Sequence, residues 1–334
     1  MGSTQGSILG VLLFLVYIND FQGCSKELLS FLFADDNVVL LEANNLNDLI
    51  IKANEQIPKV LEWYTSNKLL LHPKKTKIMI FGMARHARFI SPYDLGLLNS
   101  FPVFLNMNDE GENDDSKITK LKLVPNNDEK CVRHLGVLYD DKLSFDFHFK
   151  KIYTKISRVI FTLSQMKNIL DGKHLKMLYT AYVKSNIEYC CELFIGANLS
   201  YINPIIKLQK RAIRIIAGAS RLAHTSQFFK DFKILPYDKL IIFNVCKFMF
   251  KYRKEEVPCT FRGTWMKNSE VRNRQLRNDE DFYIPFTNKN YLKNLPFFKF
   301  PAVWNDLPTF LKSENNEKIF LNKLQEFLLE QVHF

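Results

Sequence analysis

Glycine and proline are scarce, 12 of each in 334 residues, so the chain is not a low-complexity sequence built on turn-forming repeats. Cysteine is sparse as well. Its six positions (Cys24, Cys131, Cys190, Cys191, Cys246 and Cys259) show neither CxxC spacing nor a dense framework. That excludes a disulfide scaffold and a structural zinc, and it fits a reduced intracellular protein. The apolar run Ile8–Ile18 is too short to span a bilayer and has no basic segment before it, which excludes a membrane span and a secretory signal there. Gly2 does not open a myristoylation pattern, because Gly6 stands where Ser or Thr is required. There is no internal repeat, no Gly-rich phosphate loop and no ordered Ser, His and Asp set. The expectation is an intracellular chain of the nucleus or cytoplasm, not secreted, without a transmembrane segment and without an evident obligate protein partner.

What is present is a core and an uneven charge. Hydrophobic residues make up 47% and charged residues 24%, the balance of a folded soluble protein long enough for two or three domains. Phe is abundant at 29. The net charge of +11 is concentrated: residues 141–270 hold 23 Lys and Arg against 10 Asp and Glu, whereas residues 1–100 balance at nine each. Such a block suits a polyanion. A solvated helical surface has the same composition.

The sequence is organised around Leu28–Leu41, where two apolar runs flank Ala34-Asp35-Asp36-Asn37. This pattern predicts a tight β-hairpin with Asp35 and Asp36 at its tip. Adjacent carboxylates resist burial together. As ordinary turn chemistry they would bond their own backbone; as a site they would offer hard oxygen ligands to Mg²⁺, the ion of phosphoryl-transfer centres. The run Leu12–Ile18 reads as a buried helix closed by Asn19-Asp20. A helix capped by Asn45 follows, with an apolar stripe from Leu46 to Tyr64 and a kinking Pro58 inside. Lys77–Phe81 alternates as a strand, Asn106–Asp115 is a solvated acidic loop, and Cys131–Tyr139 reads strand-turn-strand. Beyond Asp141 three helices are expected: Phe147–Leu170 with Ile152, Ile156, Val159, Ile160 and Leu163 on one face, Lys173–Ile187, and one with Pro204 near its first turn that ends at Gly218. On the third, Lys207, Lys210, Arg211 and Arg214 fall at i, i+3, i+4 and i+7 on one face. A ladder of that kind can track a phosphate backbone. Further on, Asp238 is expected to cap a helix through Phe250, and Ser313 or a neighbour to start the last helix.

Taken in order, these segments resemble the reverse transcriptase of non-LTR (LINE-type) retrotransposons. Gln5-Gly6-Ser7-Ile8-Leu9-Gly10, with Tyr17-Ile18-Asn19-Asp20, is similar to that family's Gln-Gly motif. Phe33-Ala34-Asp35-Asp36 resembles its catalytic box. Asn67-Lys68-Leu69 through Lys75-Thr76-Lys77 resembles the next motif, and His134-Leu135-Gly136-Val137 the primer-grip turn. Tyr189-Cys190, Leu208-Gln209-Lys210-Arg211-Ala212 and Trp304-Asn305-Asp306-Leu307-Pro308 resemble segments downstream of the polymerase.

The resemblance implies an α+β fold. Residues 1–140 would form part of a right-hand polymerase palm, an antiparallel sheet bearing the Asp-Asp hairpin; residues 141–220 a basic helical thumb; and residues 221–334 a mixed, mainly helical C-terminal region. It implies Mg²⁺-dependent RNA-directed DNA synthesis, a nucleotidyltransferase activity in which Mn²⁺ can also serve. Asp35 and Asp36 would be the catalytic metal ligands and Lys75 would lie near the triphosphate. Gln5, Gly6, Phe33 and Ala34 would border template and incoming dNTP. His134, Leu135, Gly136 and Val137 would grip the primer, and the basic helices would hold the RNA–DNA heteroduplex. The family carries a further catalytic Asp upstream of the Gln-Gly segment, so a truncated chain, inactive by itself, is expected. The alternative is a catalytically dead remnant that binds nucleic acid through its basic thumb.

Overall fold

The computed structural model describes residues 7–71, 75–81, 122–124, 131–271, 280–288 and 292–332. Gln5, Gly6 and the acidic loop Asn106–Asp115 lie outside them. The chain mixes long helices with short strands, consistent with α+β, and divides into two compact units, Met1–Leu143 and Ser144–Phe334.

In the first unit, α1 (Ile8–Ile18) starts where Ser7 Oγ accepts from the Gly10 amide at 2.9 Å. A 3₁₀ segment, Asn19–Cys24, leads from it to β1 (Leu29–Phe33) and β2 (Asp36–Leu40), which form an antiparallel hairpin. Helix α2 (Leu46–Ser66) opens on a reciprocal cap. The Asp48 amide donates to Asn45 Oδ1 at 2.9 Å, and Asn45 Nδ2 donates to Asp48 Oδ2 at 2.7 Å. These contacts satisfy amides that a helix start leaves unpaired. The core here is small: Ile18, Phe21 and Val60 are buried, with Phe14, Leu32, Val39, Trp63 and Tyr64 packed around them.

Helix α1 corrects the expectation of a buried segment. It forms, but Ile8 is 92% exposed, and Leu9, Val11, Leu12, Leu13, Leu15 and Val16 are also exposed; only Ile18 is buried. Local hydrophobicity drives the helix, and among the described residues only Phe14 and Ile18 find a core to enter. The strands do not join into one sheet among the described residues. Besides the first hairpin, β3 (Lys77–Met79) pairs in parallel with β4 (Lys122–Val124), and β5 (Val132–His134) pairs antiparallel with β6 (Val137–Tyr139).

The second unit is helical. Helix α3 (Asp146–Met166) buries Ile152, Ile156, Ile160 and Leu163 of the face anticipated from the sequence, and leaves Val159 half-buried. Helix α4 (Gly172–Tyr179) runs into a π turn, Thr180–Lys184, and a last α turn, Ser185–Glu188. Helix α5 (Leu199–Ile216) is capped by Asn198, so Pro204 is its sixth residue, just past the first turn. The missing proline amide therefore removes one internal hydrogen bond. Short α6 (Ser226–Asp231) precedes α7 (Tyr237–Arg253), the buried helix on which α5 also packs. Asp238 does not cap α7; Pro236 holds that position and Asp238 sits in the first turn, where its charge still suits the helix dipole. Helix α8 (Pro296–Asn305), the turn Thr309–Lys312 and α9 (Glu317–Glu330) complete the unit. Asn316 caps α9, and Ser313 instead closes the preceding turn.

Two residues tie these elements together. Gln209 is 1% exposed and serves three segments. Its Nε2 donates to the Tyr179 hydroxyl at 2.8 Å and to the Leu235 carbonyl at 2.9 Å, and its Oε1 accepts from the Tyr237 amide at 2.9 Å. Asn305 acts as a strand edge would: Oδ1 accepts from the Phe282 amide at 3.0 Å and Nδ2 donates to the Phe282 carbonyl at 2.8 Å.

Candidate functional site

The β1–β2 hairpin is closed by two residues, Ala34 and Asp35, and Asp36 is the first residue of β2, paired with Phe33. The tip anticipated from the sequence is therefore shifted by one residue. Ala34 has φ +51°. A two-residue hairpin favours positive φ because its twist then matches the strands, but that region suits glycine. An Ala there carries roughly 1–2 kcal/mol of strain. Phe33, Ala34, Asp35 and Asp36 are all exposed, so both carboxylates reach solvent at the closed end.

What holds this end in place comes from α2. Asn37 is the first inward-facing residue of β2, and its Nδ2 donates to the Tyr64 hydroxyl. Tyr64 belongs to an aromatic cluster, with ring centroids 5.5 Å from Phe21 and 5.4 Å from Trp63. Burial pushes its phenol up from its ordinary value, so it stays protonated. The sequence reading missed Tyr64 as a partner of the hairpin. An apolar stripe ending in Tyr signals core, and only the packing brings its hydroxyl to Asn37. Because side chains alternate along a strand, Asn37 points inward while Asp36 points out.

The other expected site residues lie on other elements. Lys75 is exposed two residues before β3 and forms no ion pair among the described residues. His134 and Val137 are the last paired residues of the β5–β6 hairpin, and Leu135 (φ +44°) with Gly136 (φ +87°) makes its turn. Two successive positive φ values are the pattern of a type I′ turn, for which Gly136 is well chosen. Val137 is buried, while His134, Leu135 and Gly136 are half-buried. On α5, Lys207 and Arg211 are exposed, Lys210 and Arg214 half-buried. Arg214 Nε donates to the Ala223 carbonyl at 2.7 Å. Burial, and then the neighbouring Arg214 charge, lower the pKa of Lys210.

Chemically, the hairpin offers two adjacent hard-oxygen ligands. Among the described residues no group of three or more His, Cys, Asp or Glu side chains gathers to hold a metal ion. Among those residues, too, no helix is long and apolar enough to cross a membrane.

No family model matches the chain, and no solved structure matches it. One curated protein is similar: a probable RNA-directed DNA polymerase from transposon X-element of Drosophila melanogaster, 22% identical over 241 residues. The match covers 70% of this chain but 23% of that protein, so the chain spans less than a quarter of its relative's length. By sequence, then, this chain is a distant relative of a transposon-encoded reverse transcriptase.

Proposed function

We propose that the chain is a retroelement-derived reverse transcriptase segment whose Asp35 and Asp36 form one side of a nucleotidyl-transfer site. The observation that carries this is the hairpin end: two exposed carboxylates, presented by a strained Ala34 and backed by the Asn37–Tyr64 hydrogen bond. Strain of this kind persists where surrounding structure enforces it, and it gathers at functional sites. The donor set fits Mg²⁺, a hard cation that prefers carboxylate oxygen. Once bound between Asp35 and Asp36, the ion would stabilise charge on the attacking 3′-oxygen and the leaving pyrophosphate. Gln5, Gly6, Phe33 and Ala34 would border template and dNTP, Lys75 would serve the triphosphate, and His134–Val137 would hold the primer.

A second reading, binding of an RNA–DNA hybrid without synthesis, is favoured by the two-carboxylate set. Metals approached from one side only are poorly fixed, and misplacement of about 1 Å can cost on the order of a hundredfold in rate. The exposed Lys207 and Arg211 would then contact phosphates. Two measurements decide. Titrated Mn²⁺ should broaden the amide signals of Ala34–Asn37 first, and Asp35→Asn should remove the effect; broadening centred elsewhere would refute the metal assignment. On an oligo(dT)-primed RNA template with Mg²⁺ the chain should not extend the primer. Extension abolished by Asp35→Asn would instead establish synthesis.

A further inference from the structure

The Ser144–Phe334 unit contains a cavity of about 230 Å³, formed by α4 and its π turn, α5, the loop after α6, α7 and α9. Three lysines, Lys176, Lys184 and Lys233, are among its lining residues against one acidic residue, Glu188. Behind this lining the fully buried Tyr179 hydroxyl accepts from Gln209 Nε2 at 2.8 Å, which fixes α4 against α5. Phe232 and Phe243, both half-buried, supply flat apolar wall. We propose that this cavity binds the phosphate of a nucleotide, with Lys176, Lys184 and Lys233 on the phosphate and a Phe ring against the base.

The arrangement is specific to an anion. Lys184 Nζ lies 3.8 Å from Glu188, too far for a hydrogen bond, and Lys176 Nζ lies 6.0 Å above the Phe232 ring. Among the described residues Lys233 has no ion-pair partner at all. Lys184 is thus shared with Glu188, while Lys176 and Lys233 have no carboxylate partner among the described residues before a ligand arrives. An adjoining cavity of about 420 Å³ is lined by two basic residues, Lys230 and Lys233, and two acidic ones, Glu326 and Glu330, so it has no such bias.

The π turn has a role in this. An uninterrupted α-helix would swing Lys184 about 80° around the axis from Lys176, eight residues earlier. The wider turn at Thr180–Lys184 takes up much of that swing and keeps both lysines on one wall. Lys233 enters from the far side with φ +52°, and the Gln325 amide donates to its carbonyl at 2.8 Å.

The test is calorimetry on the full chain with adenosine 5′-monophosphate, adenosine, and a short oligonucleotide with and without a 5′-phosphate. The monophosphate should bind saturably and adenosine at least tenfold more weakly. Lys184→Met with Lys233→Met should abolish binding, and Glu188→Gln should tighten it several-fold, which no purely structural role of Glu188 would produce. Thermal unfolding of each variant controls for folding. If the 5′-phosphorylated oligonucleotide shares the variant profile, the site takes a strand end; if only the monophosphate binds, it takes a free nucleotide. Equal binding of adenosine and its monophosphate, or affinity indifferent to all these variants, overturns the proposal. Asp35→Asn should leave the result unchanged, so failure here and failure of the hairpin reading remain distinct.

Discussion

His148 and Glu314 are held away from their ordinary titration ranges by opposite means. His148, 5% exposed and with its ring 5.0 Å from that of Phe194, is lowered from 6.5 to about 4, first by desolvation and then by Lys151. The unfolded chain takes up a proton as pH falls below 6.5 while the folded chain does not, so stability should drop between about pH 6.5 and 4 and then level. Glu314 is lowered from 4.5 to about 2 by the Lys323 ammonium at 2.8 Å and by the Asn316 and Asn315 amides. Its contribution is complete above 4.5 and is lost as pH falls toward 2. Denaturant melts from pH 7 to 2 should show both windows. His148→Phe should remove the upper one and Glu314→Gln the lower. An upper window that survives in His148→Phe would assign it to another group.

At the scale of the element, α5 shows how one helix serves two masters. Ile202, Ile205, Leu208, Gln209, Ala212, Ile213 and Ile216 are buried on one face. The four cations fall on the opposite face, as the 3.6-residue period requires. They are nevertheless not equivalent, because Arg214 is engaged with the Ala223 carbonyl and Lys210 is half-buried. Replacing Lys207 and Arg211 by Ala should weaken hybrid binding whatever its sequence and flatten the log K against log salt slope by about 1.5–2. Adding Lys210→Ala and Arg214→Ala should change the slope by less than the first pair did. An unchanged slope after the first pair would make this face plain solvated surface. Helix α1 makes the complementary point, since its residues specify a helix but do not specify a partner to cover it.

At the scale of the whole molecule, the Ser144–Phe334 unit depends on close approaches between distant segments. Gly196 follows the turn Cys191–Phe194, and a Cβ built on it would sit 1.8 Å from the Asn294 carbonyl oxygen. Backbone on both sides would have to move, so Gly196→Ala should destabilise the unit by about 3 kcal/mol. Chemical denaturation with unchanged m would show it; a loss below about 0.5 kcal/mol would mean the turn shifts freely. Arg253 makes a second long tie. Its guanidinium donates to the carbonyls of Lys312 and Glu314 while lying over the rings of Phe250 and Trp304, at 5.1 and 5.5 Å.

The sequence by itself determined the local elements and much of the candidate hairpin. Alternating apolar runs around Ala34–Asn37 require a hairpin, Asn45 with Asp48 requires a helix start, and the period of α3 requires the buried face that is found. Those signals lie within a few residues of one another, where the physics is that of backbone geometry and side-chain period. What tertiary structure alone decided joins residues far apart in the chain. Tyr64 reaches Asn37 across 27 positions, and Gln209 reaches Tyr179 across 30 and Tyr237 across 28. Whether a helix is covered is equally beyond a local pattern: α1 is apolar almost throughout yet largely exposed, whereas α7 carries Asp238, Lys239, Lys247, Lys251 and Arg253 and still buries Leu240, Ile241, Val245 and Met249. Hydrophobicity measures how much a segment gains from burial, but only the packing of other elements supplies the surface that buries it.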